Sequence, residues 1–455
     1  MGYLVRLFDW RGVGLNGLNG ISPLGFATLI EVAMSGVSFD GAVIAAPMVR
    51  VSHLGFRILC ASKGASVVFS EELIAAKLLR ARREVVSYTF ASWIPLEVRL
   101  GLTAADVVEF VVYEPFRNKW KRQVVFSTLL KTSGRPLPEG CPVVAQLGAA
   151  DPVTAARAAE LLCDDIDGID VNMGCPKKFS TENGMGASLM NDPCRAASIL
   201  QAINSAVNSP ERIRRREGRI VHISFKTRLF DDAQQSIQQL KEIMEVAPCV
   251  RAITLHARTR AQRSETPPLL DVAEYIVKGV RQRYPSLFED VAMVFNGSVS
   301  HRELGLAEAN LRGFQGVLIA RHALWDFRVF SSGRPPRDTA PGFTSKESSV
   351  EEQLRVFSEW LLYALAWKTP FMHAKYHLTR AFQEFPAAKH TVYPLFQRCQ
   401  SYQECARIFG LQTHIIDAIE PERLDLLDVD PTAAAAPEQG WTPGDELPSK
   451  LHRSE

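Results

Sequence analysis

The chain has 455 residues and holds eight cysteines, at 60, 141, 163, 175, 194, 249, 399 and 405, yet no Cys-x-x-Cys pair. Cysteines scattered in this way make a zinc site unexpected, and no metal is expected. Several lie in apolar segments, where cysteine behaves as a small core residue. Free thiols suit a reducing compartment. No apolar run approaches the roughly 18 residues that a membrane helix needs, so no membrane partner is expected. A large charge of either sign is also missing: 52 Lys and Arg meet 50 Asp and Glu, a formal net charge of +2. The chain as a whole therefore does not announce a nucleic-acid binder, and any basic surface has to be local. No repeat recurs at a fixed period beyond an alternation of strands and helices.

Residues 1–40 carry Arg6 and Arg11 but also Asp9 and Glu31. A secretory signal needs a basic start and an unbroken apolar core, and an import sequence should be rich in Arg and poor in acids. The segment reads instead as a poorly ordered lead-in. The cytoplasm is the expected location, with the nucleus and the mitochondrion left open.

What is present is an ordinary soluble composition, 46% hydrophobic and 22% charged, in a chain long enough for one large domain and a smaller one. Eight short runs rich in Val, Ile and Ala end in polar residues or glycine: 43–48, 66–70, 142–147, 168–173, 221–226, 252–256, 291–295 and 316–320. Most are nearly continuous apolar runs, which favours parallel strands buried on both faces. Between most of them lie helical patterns, such as 232–245 with Ile237, Leu240, Ile243 and Met244 on one face. The expected fold is α/β, a (β/α)8 TIM barrel over residues 41–330. The gap between the second and third runs holds a helix candidate at 73–88. Runs at 107–113 and 124–129 follow, which fit a β-hairpin within an insertion at about 89–141. Residues 331–348 read as a linker. A small all-helical domain is expected over 349–424, and a disordered tail over 425–455.

In a barrel the C-terminal ends of the strands form one rim. Here they carry Ala46-Pro47-Met48, Gln146, Asn172 with Cys175, Lys226 with Arg228, His256 with Arg258, Asn296-Gly297 and Ala320-Arg321. Any one of these is more often a turn residue than a site residue; the joint pattern is not. Asn296-Gly297 and Ala320-Arg321, after the seventh and eighth strands, match the usual barrel phosphate site. A phosphate site with a Lys, a Gln and a His on the same rim suits flavin mononucleotide (FMN). Lys226 would place positive charge near the flavin N1–C2 carbonyl region, and Gln146 would meet the ring edge. Cys175 sits on a turn before Pro176. A free thiol titrates near about 8.5 and can donate a proton at neutral pH. Adding hydrogen across a carbon–carbon double bond needs a hydride at one carbon and a proton at the other, so an acid facing a flavin suits that chemistry. A packed cysteine and a nucleophile remain the alternatives.

The run Asp170-Val171-Asn172-Met173-Gly174-Cys175-Pro176 resembles the active-site signature of the tRNA-dihydrouridine synthases. Supporting pieces are Ala46-Pro47-Met48-Val49-Arg50, Ser70-Glu71-Glu72-Leu73, Gln146-Leu147-Gly148, Gly184-Met185-Gly186-Ala187, Lys226-Thr227-Arg228, Leu255-His256-Ala257-Arg258 and Ile319-Ala320-Arg321. The likeness spans roughly 42–410 and is strongest to the eukaryotic branch that modifies position 20 of the D-loop. It implies a tRNA substrate, FMN as cofactor, NADPH as reductant and Cys175 as proton donor. It further implies that Asn172, Lys226, Arg228 and His256 contact flavin or uracil, and that Ala46, Pro47 and Met48 lie at the cofactor. Two departures stand out. The usual Asn-Gly-Gly is Asn296-Gly297-Ser298, and the usual Gly-Arg is Ala320-Arg321. Nothing after Leu411 is patterned for the double-stranded-RNA-binding domain that some members carry.

In the helical domain His373, His377 and Arg380 follow i, i+4, i+7 spacing and should share one face, with Lys375 on the neighbouring turn. Lys375 and Arg380 are the expected tRNA contacts. Two other readings stay open: an FMN oxidoreductase acting on a free small pyrimidine, and a non-catalytic RNA-binding relative. The helical domain argues against the first and an intact Cys175 against the second.

Overall fold

The computed structural model describes residues 37–132, 137–263, 265–333, 350–385, 387–420 and 426–427. The expected lead-in, nearly all of the expected linker and most of the expected tail lie outside these residues.

Eight parallel strands close into a barrel in the order β1-β11-β10-β9-β8-β7-β6-β2. They are β1 (Val43–Ala45), β2 (Val67–Ile74), β6 (Val143–Gly148), β7 (Gly168–Met173), β8 (His222–Leu229), β9 (Val250–Thr259), β10 (Ala292–Asn296) and β11 (Gly316–Ile319). Each coincides with one of the eight apolar runs, so the expected (β/α)8 barrel is the fold. Alternate residues face inward. Ile44, Val67, Phe69, Val144, Ala252, Val294 and Leu318 fill a small inner core. The opposite faces join the larger core under the surrounding helices. Asp caps with a following Pro start two of those helices: Asp151 accepts from the Thr154 N–H and Asp192 from the Arg195 N–H.

The insertion departs from one expectation. The helix candidate at 73–88 shrinks to Ala75–Leu78, and β3 (Arg82–Thr89) takes the rest. Its burial alternates residue by residue, the period of a strand, and Val85, Val86, Tyr88 and Thr89 favour that state. β3 pairs antiparallel with β4 (Ala104–Phe116), which forms a hairpin with β5 (Lys119–Leu129). β12 (Leu426–Leu427), within the segment expected to be disordered, pairs with Trp120 and Lys121 at the edge of β5.

Helices Val350–Ala366 and Phe371–Gln383 dominate the C-terminal region and pack tightly on the barrel. A Cβ at Gly55 would lie 2.7 Å from the Tyr363 carbonyl oxygen. The Trp367 indole donates to the Val98 carbonyl at 2.9 Å. No helix among the described residues is long and apolar enough to cross a membrane.

His377 corrects the expectation of a shared basic face. It is 1% exposed and lies against Phe56, Phe357 and Trp360. Its Nε2 is 2.9 Å from the Leu324 carbonyl. A carbonyl only accepts, so Nε2 carries the proton. Helical spacing placed His377 beside Arg380, but the domain interface claimed it. Burial lowers its pKa from 6.5 to about 4. A depressed histidine leaves stability intact above its unfolded pKa and removes it as pH falls from there through the folded value. Acidification from 6.5 to 4 should therefore cost about 3 kcal/mol at this site. His377→Gln keeps a donor for Leu324 and should flatten that part of the acid limb. Denaturation midpoints of both proteins across this range test it, and parallel acid limbs would refute the assignment.

Candidate active site

Asn172, at the end of β7, organises the cysteine loop. Its Oδ1 accepts from the backbone N–H groups of Gly174 and Cys175, both at 3.0 Å. Its amide nitrogen donates to Gln146 Oε1 at 3.2 Å. Arg228, at the end of β8, pins the loop from the other side: Nε donates to the Gly174 carbonyl at 2.9 Å and Nη1 to the Thr259 carbonyl at 2.9 Å. The Cys175 carbonyl accepts from the Ala187 N–H at 3.0 Å. That close approach requires Gly186, at φ +59°, where a Cβ would lie 2.7 Å from the same carbonyl oxygen. Cys175 Sγ accepts from Ser180 Oγ at 3.3 Å. The thiol is partly exposed, and all eight cysteines are free. Asn172, expected as a substrate contact, thus commits its side chain to the Cys175 loop and Gln146, while Arg228, also expected there, divides its hydrogen bonds between Gly174 and the Thr259 and Gln262 carbonyls.

Below the loop lies a buried polar layer. Asp170 is fully buried; it accepts from Gln146 Nε2 and from Ser224 Oγ, each at 2.8 Å. Burial raises its pKa to about 6, against the pull of these hydrogen bonds and of Lys226. Lys226 lies opposite Asn172 in the sheet. Its pKa falls to about 7, first because of burial and then because of Arg228, with Asp170 and Cys175 acting the other way. Sequence reasoning missed Asp170 and Ser224 as site residues. An acid inside an apolar strand run was the signal.

Beside this layer is a cleft of about 210 Å³ lined by Arg228, His256, Arg258, Arg263, Asn296, Ser298, Val299, Ala320, Arg321 and His322. The structure therefore brings together Arg228, His256, Arg258, Asn296, Ala320 and Arg321, all placed on the rim by the sequence, and adds Arg263 and His322. Arg258 is buried; it donates to the Thr266 carbonyl at 2.7 Å and to Ser298 Oγ at 2.8 Å. It also lies 3.2 Å from His256 Nε2. Guanidinium only donates, so His256 Nε2 accepts and its proton sits on Nδ1. Burial and the cations Lys226, Arg228, Arg258 and Arg321 hold His256 neutral, far below the usual histidine range. Burial, Arg321 and Arg228 lower Arg258 to about 10. Four guanidinium groups in one cleft repel one another, which favours an anionic occupant.

Several expected residues serve the walls. Asn296 Nδ2 donates to the Leu318 carbonyl at 2.9 Å, joining β10 to β11. A Cβ at Gly297 would lie 3.1 Å from Pro268 Cβ. Ser298 stands where the resembling family has glycine; it adopts φ +55°, a strained conformation for a serine, while accepting from Arg258. The Ala46 N–H donates to the Ile319 carbonyl at 3.0 Å. Ser52 Oγ joins the Ala46 carbonyl and the Met48 N–H, each at 3.0 Å, which fixes the Ala46-Pro47-Met48 turn at the rim. Of the residues expected to hold tRNA, Arg380 is exposed and donates to Gln383, whereas the Lys375 ammonium donates to the Cys399 carbonyl at 2.8 Å.

The described family of dihydrouridine synthases matches residues 43–409. The tRNA-dihydrouridine(20) synthase (NAD(P)+) of Schizosaccharomyces pombe is 30% identical over 382 residues, 84% of this chain and 67% of that protein. The enzyme of the same name from Saccharomyces cerevisiae is 27% identical over 371 residues, 81% of this chain and 83% of that protein. A mouse protein named tRNA-dihydrouridine(20a/20b) synthase (NAD(P)+)-like is 26% identical over 337 residues, 74% of this chain and 78% of that one. The match runs from the first barrel strand into the C-terminal helices and includes the Cys175 loop, so the chain belongs to the dihydrouridine synthase family.

Proposed function

We propose that the protein reduces the C5=C6 bond of a uridine in the D-loop of tRNA, at position 20, with FMN as cofactor and NADPH as reductant. The observation that carries this reading is a free thiol held at the barrel mouth by Asn172 and Arg228, beside a cationic cleft. The names of the fungal relatives supply the tRNA and the position.

The residues fit FMN. The cleft has the size and charge for a phosphate, and the rims of β6, β8 and β9 place Gln146, Lys226 and His256 around the adjoining mouth. FMN, when bound and reduced, supplies a hydride. The chain's own residues do the rest. Arg258, Arg321 and the backbone at 297–298 hold the anionic end. Lys226 sets a cation at the mouth. Neutral His256, its Nδ1 protonated, donates a hydrogen bond without adding charge. Cys175 gives a proton to the uracil carbon that does not receive the hydride. Arg380 is an exposed phosphate contact for the tRNA, and Lys375 shapes the same helical surface by capping the turn at Cys399.

Purified protein should be yellow and release flavin on denaturation. With NADPH it should add two mass units to unmodified tRNA at a D-loop uridine, and mapping should locate that residue at position 20. Equal turnover of free uridine would transfer the activity to small pyrimidines. Colourless protein that cannot be reconstituted with FMN would remove the cofactor claim.

A further inference from the structure

Cys175 is followed by Pro176-Lys177-Lys178-Phe179-Ser180, two cations and an aromatic ring that the proton transfer leaves unused. A short helix, Lys178–Glu182, carries most of this run. Its inner side is tied to the reacting sulfur. Ser180 is buried, donates from Oγ to Cys175 Sγ at 3.3 Å, and accepts at its carbonyl from the Met185 N–H at 2.8 Å. The Thr181 N–H donates to the Lys177 carbonyl at 3.1 Å, and the Asn183 amide to the Phe179 carbonyl at 2.7 Å. These bonds fix the helix against the cysteine loop. Its outer side presents Lys178, Phe179 and Glu182, all exposed, with the exposed Lys177 just before them. Phe179 is 49% exposed. Among the described residues neither lysine forms an ion pair. Glu182, one turn past Lys178, does not reach it, and Lys177 acts on the Glu72 carboxyl at longer range.

A lone exposed aromatic needs no explanation by itself. The place of this one points to a ligand: it is the residue before the hydroxyl that bonds the catalytic sulfur, beside two unpaired cations. A uracil stacked within its strand cannot offer C5 and C6 to a thiol and a cofactor at once, so it has to leave the stack. Its departure uncovers a face of the neighbouring base. We infer that Phe179 stacks on that neighbouring base in place of the departed uracil, while Lys177 and Lys178 hold the adjoining phosphates. Every base has such a face, so the contact gives affinity without reading sequence. Lysine suits the phosphates as a compact charge on a flexible stem. The inference rests on the uridine-reductase reading and extends it to the nucleotide beside the target.

Phe179→Ala, Phe179→Leu and Phe179→Trp in the full chain test it. Loss of a stacked ring costs about 5- to 150-fold. The value of kcat/KM on unmodified tRNA should fall by that factor in the Ala and Leu variants and return in the Trp variant. Flavin content and flavin reduction by NADPH should match wild type in all three, which a collapsed loop would not allow. Lys177→Ala combined with Lys178→Ala should flatten the slope of log Kd against log salt by roughly 1.4, the value for two single-strand phosphate contacts. Phe179→Ala should leave that slope alone. An unchanged slope in the lysine double variant refutes the phosphate contacts. A Leu variant as active as wild type overturns the stacking, because apolar bulk without a ring would then suffice. An Ala variant with wild-type kcat/KM also overturns it and leaves the reductase reading standing. If that variant instead changes only the association state of the protein, the ring serves a second copy of this chain, and the nucleotide contact is again refuted. Wild-type protein that leaves tRNA unreduced removes the reductase reading and the contact with it.

Discussion

Cys175→Ala is expected to leave flavin content and flavin reduction by NADPH intact while uridine reduction drops about 10²- to 10⁴-fold, the usual cost of a lost general acid. The separation follows from geometry. The phosphate-sized cleft draws mainly on β9, β10 and β11 and shares only Arg228 of β8 with the cysteine loop, whereas Cys175 hangs from β7 on the hydrogen bonds of Asn172, Arg228 and Ala187. All of these act on its loop backbone, so removing the thiol leaves the loop in place. Among the described residues no histidine hydrogen-bonds the sulfur, which accepts from the Ser180 hydroxyl. That favours a proton donor over an activated nucleophile, because the paired base that nucleophilic cysteines use is not at hand. Stopped-flow traces would then show normal bleaching by NADPH and little reoxidation by tRNA. Reoxidation at the wild-type rate would exclude Cys175 as the donor. Loss of flavin from the variant would instead make the loop a structural wall of the cofactor site.

Much of this arrangement was legible from sequence, and the reasons are local. Each barrel strand is buried on both faces, so its apolar run is nearly continuous and ends where the rim begins. The cysteine turn is also local: Asn172, Gly174 and Cys175 sit within four residues, and the Asx-type hydrogen bonds join only these. What sequence hid depends on distant partners. The segment 82–89 is a strand because β4 pairs with it. His377 is buried because the barrel residue Leu324 meets it. Arg228 reads as a substrate contact in isolation, yet its guanidinium binds the Gly174 and Thr259 carbonyls from two neighbouring strands. Arg258 reads as a rim residue at the end of β9, but its convergence with Arg263 and Arg321 required barrel closure.

Lys226→Met should slow flavin reduction by NADPH about 10²- to 10³-fold, the scale of removing one preorganised electrostatic group from a water-poor site. The side chain keeps nearly the same length and apolar stem, so packing changes little and charge is the variable. Lys226 lies in register with Asn172 on one side and Thr254 on the other, beneath the cysteine loop and next to the anionic layer at Asp170. From there its ammonium opposes the negative charge that two-electron reduction leaves in the mouth. Its charge is also conditional. Burial and Arg228 bring its pKa down to about 7, so the cation is complete below neutrality and fades as pH rises through that value. A bound anion would pull the pKa upward. The wild-type rate of flavin reduction should therefore fall on the alkaline side, later in loaded protein than this pKa alone indicates, while the Met variant stays flat at its low level. Rapid-mixing measurements on either side of neutrality read both features. A Met variant reduced at the wild-type rate, or one that keeps the wild-type alkaline fall, would show that the rate depends on a different group. Arg258, brought down to about 10, would be the next to replace.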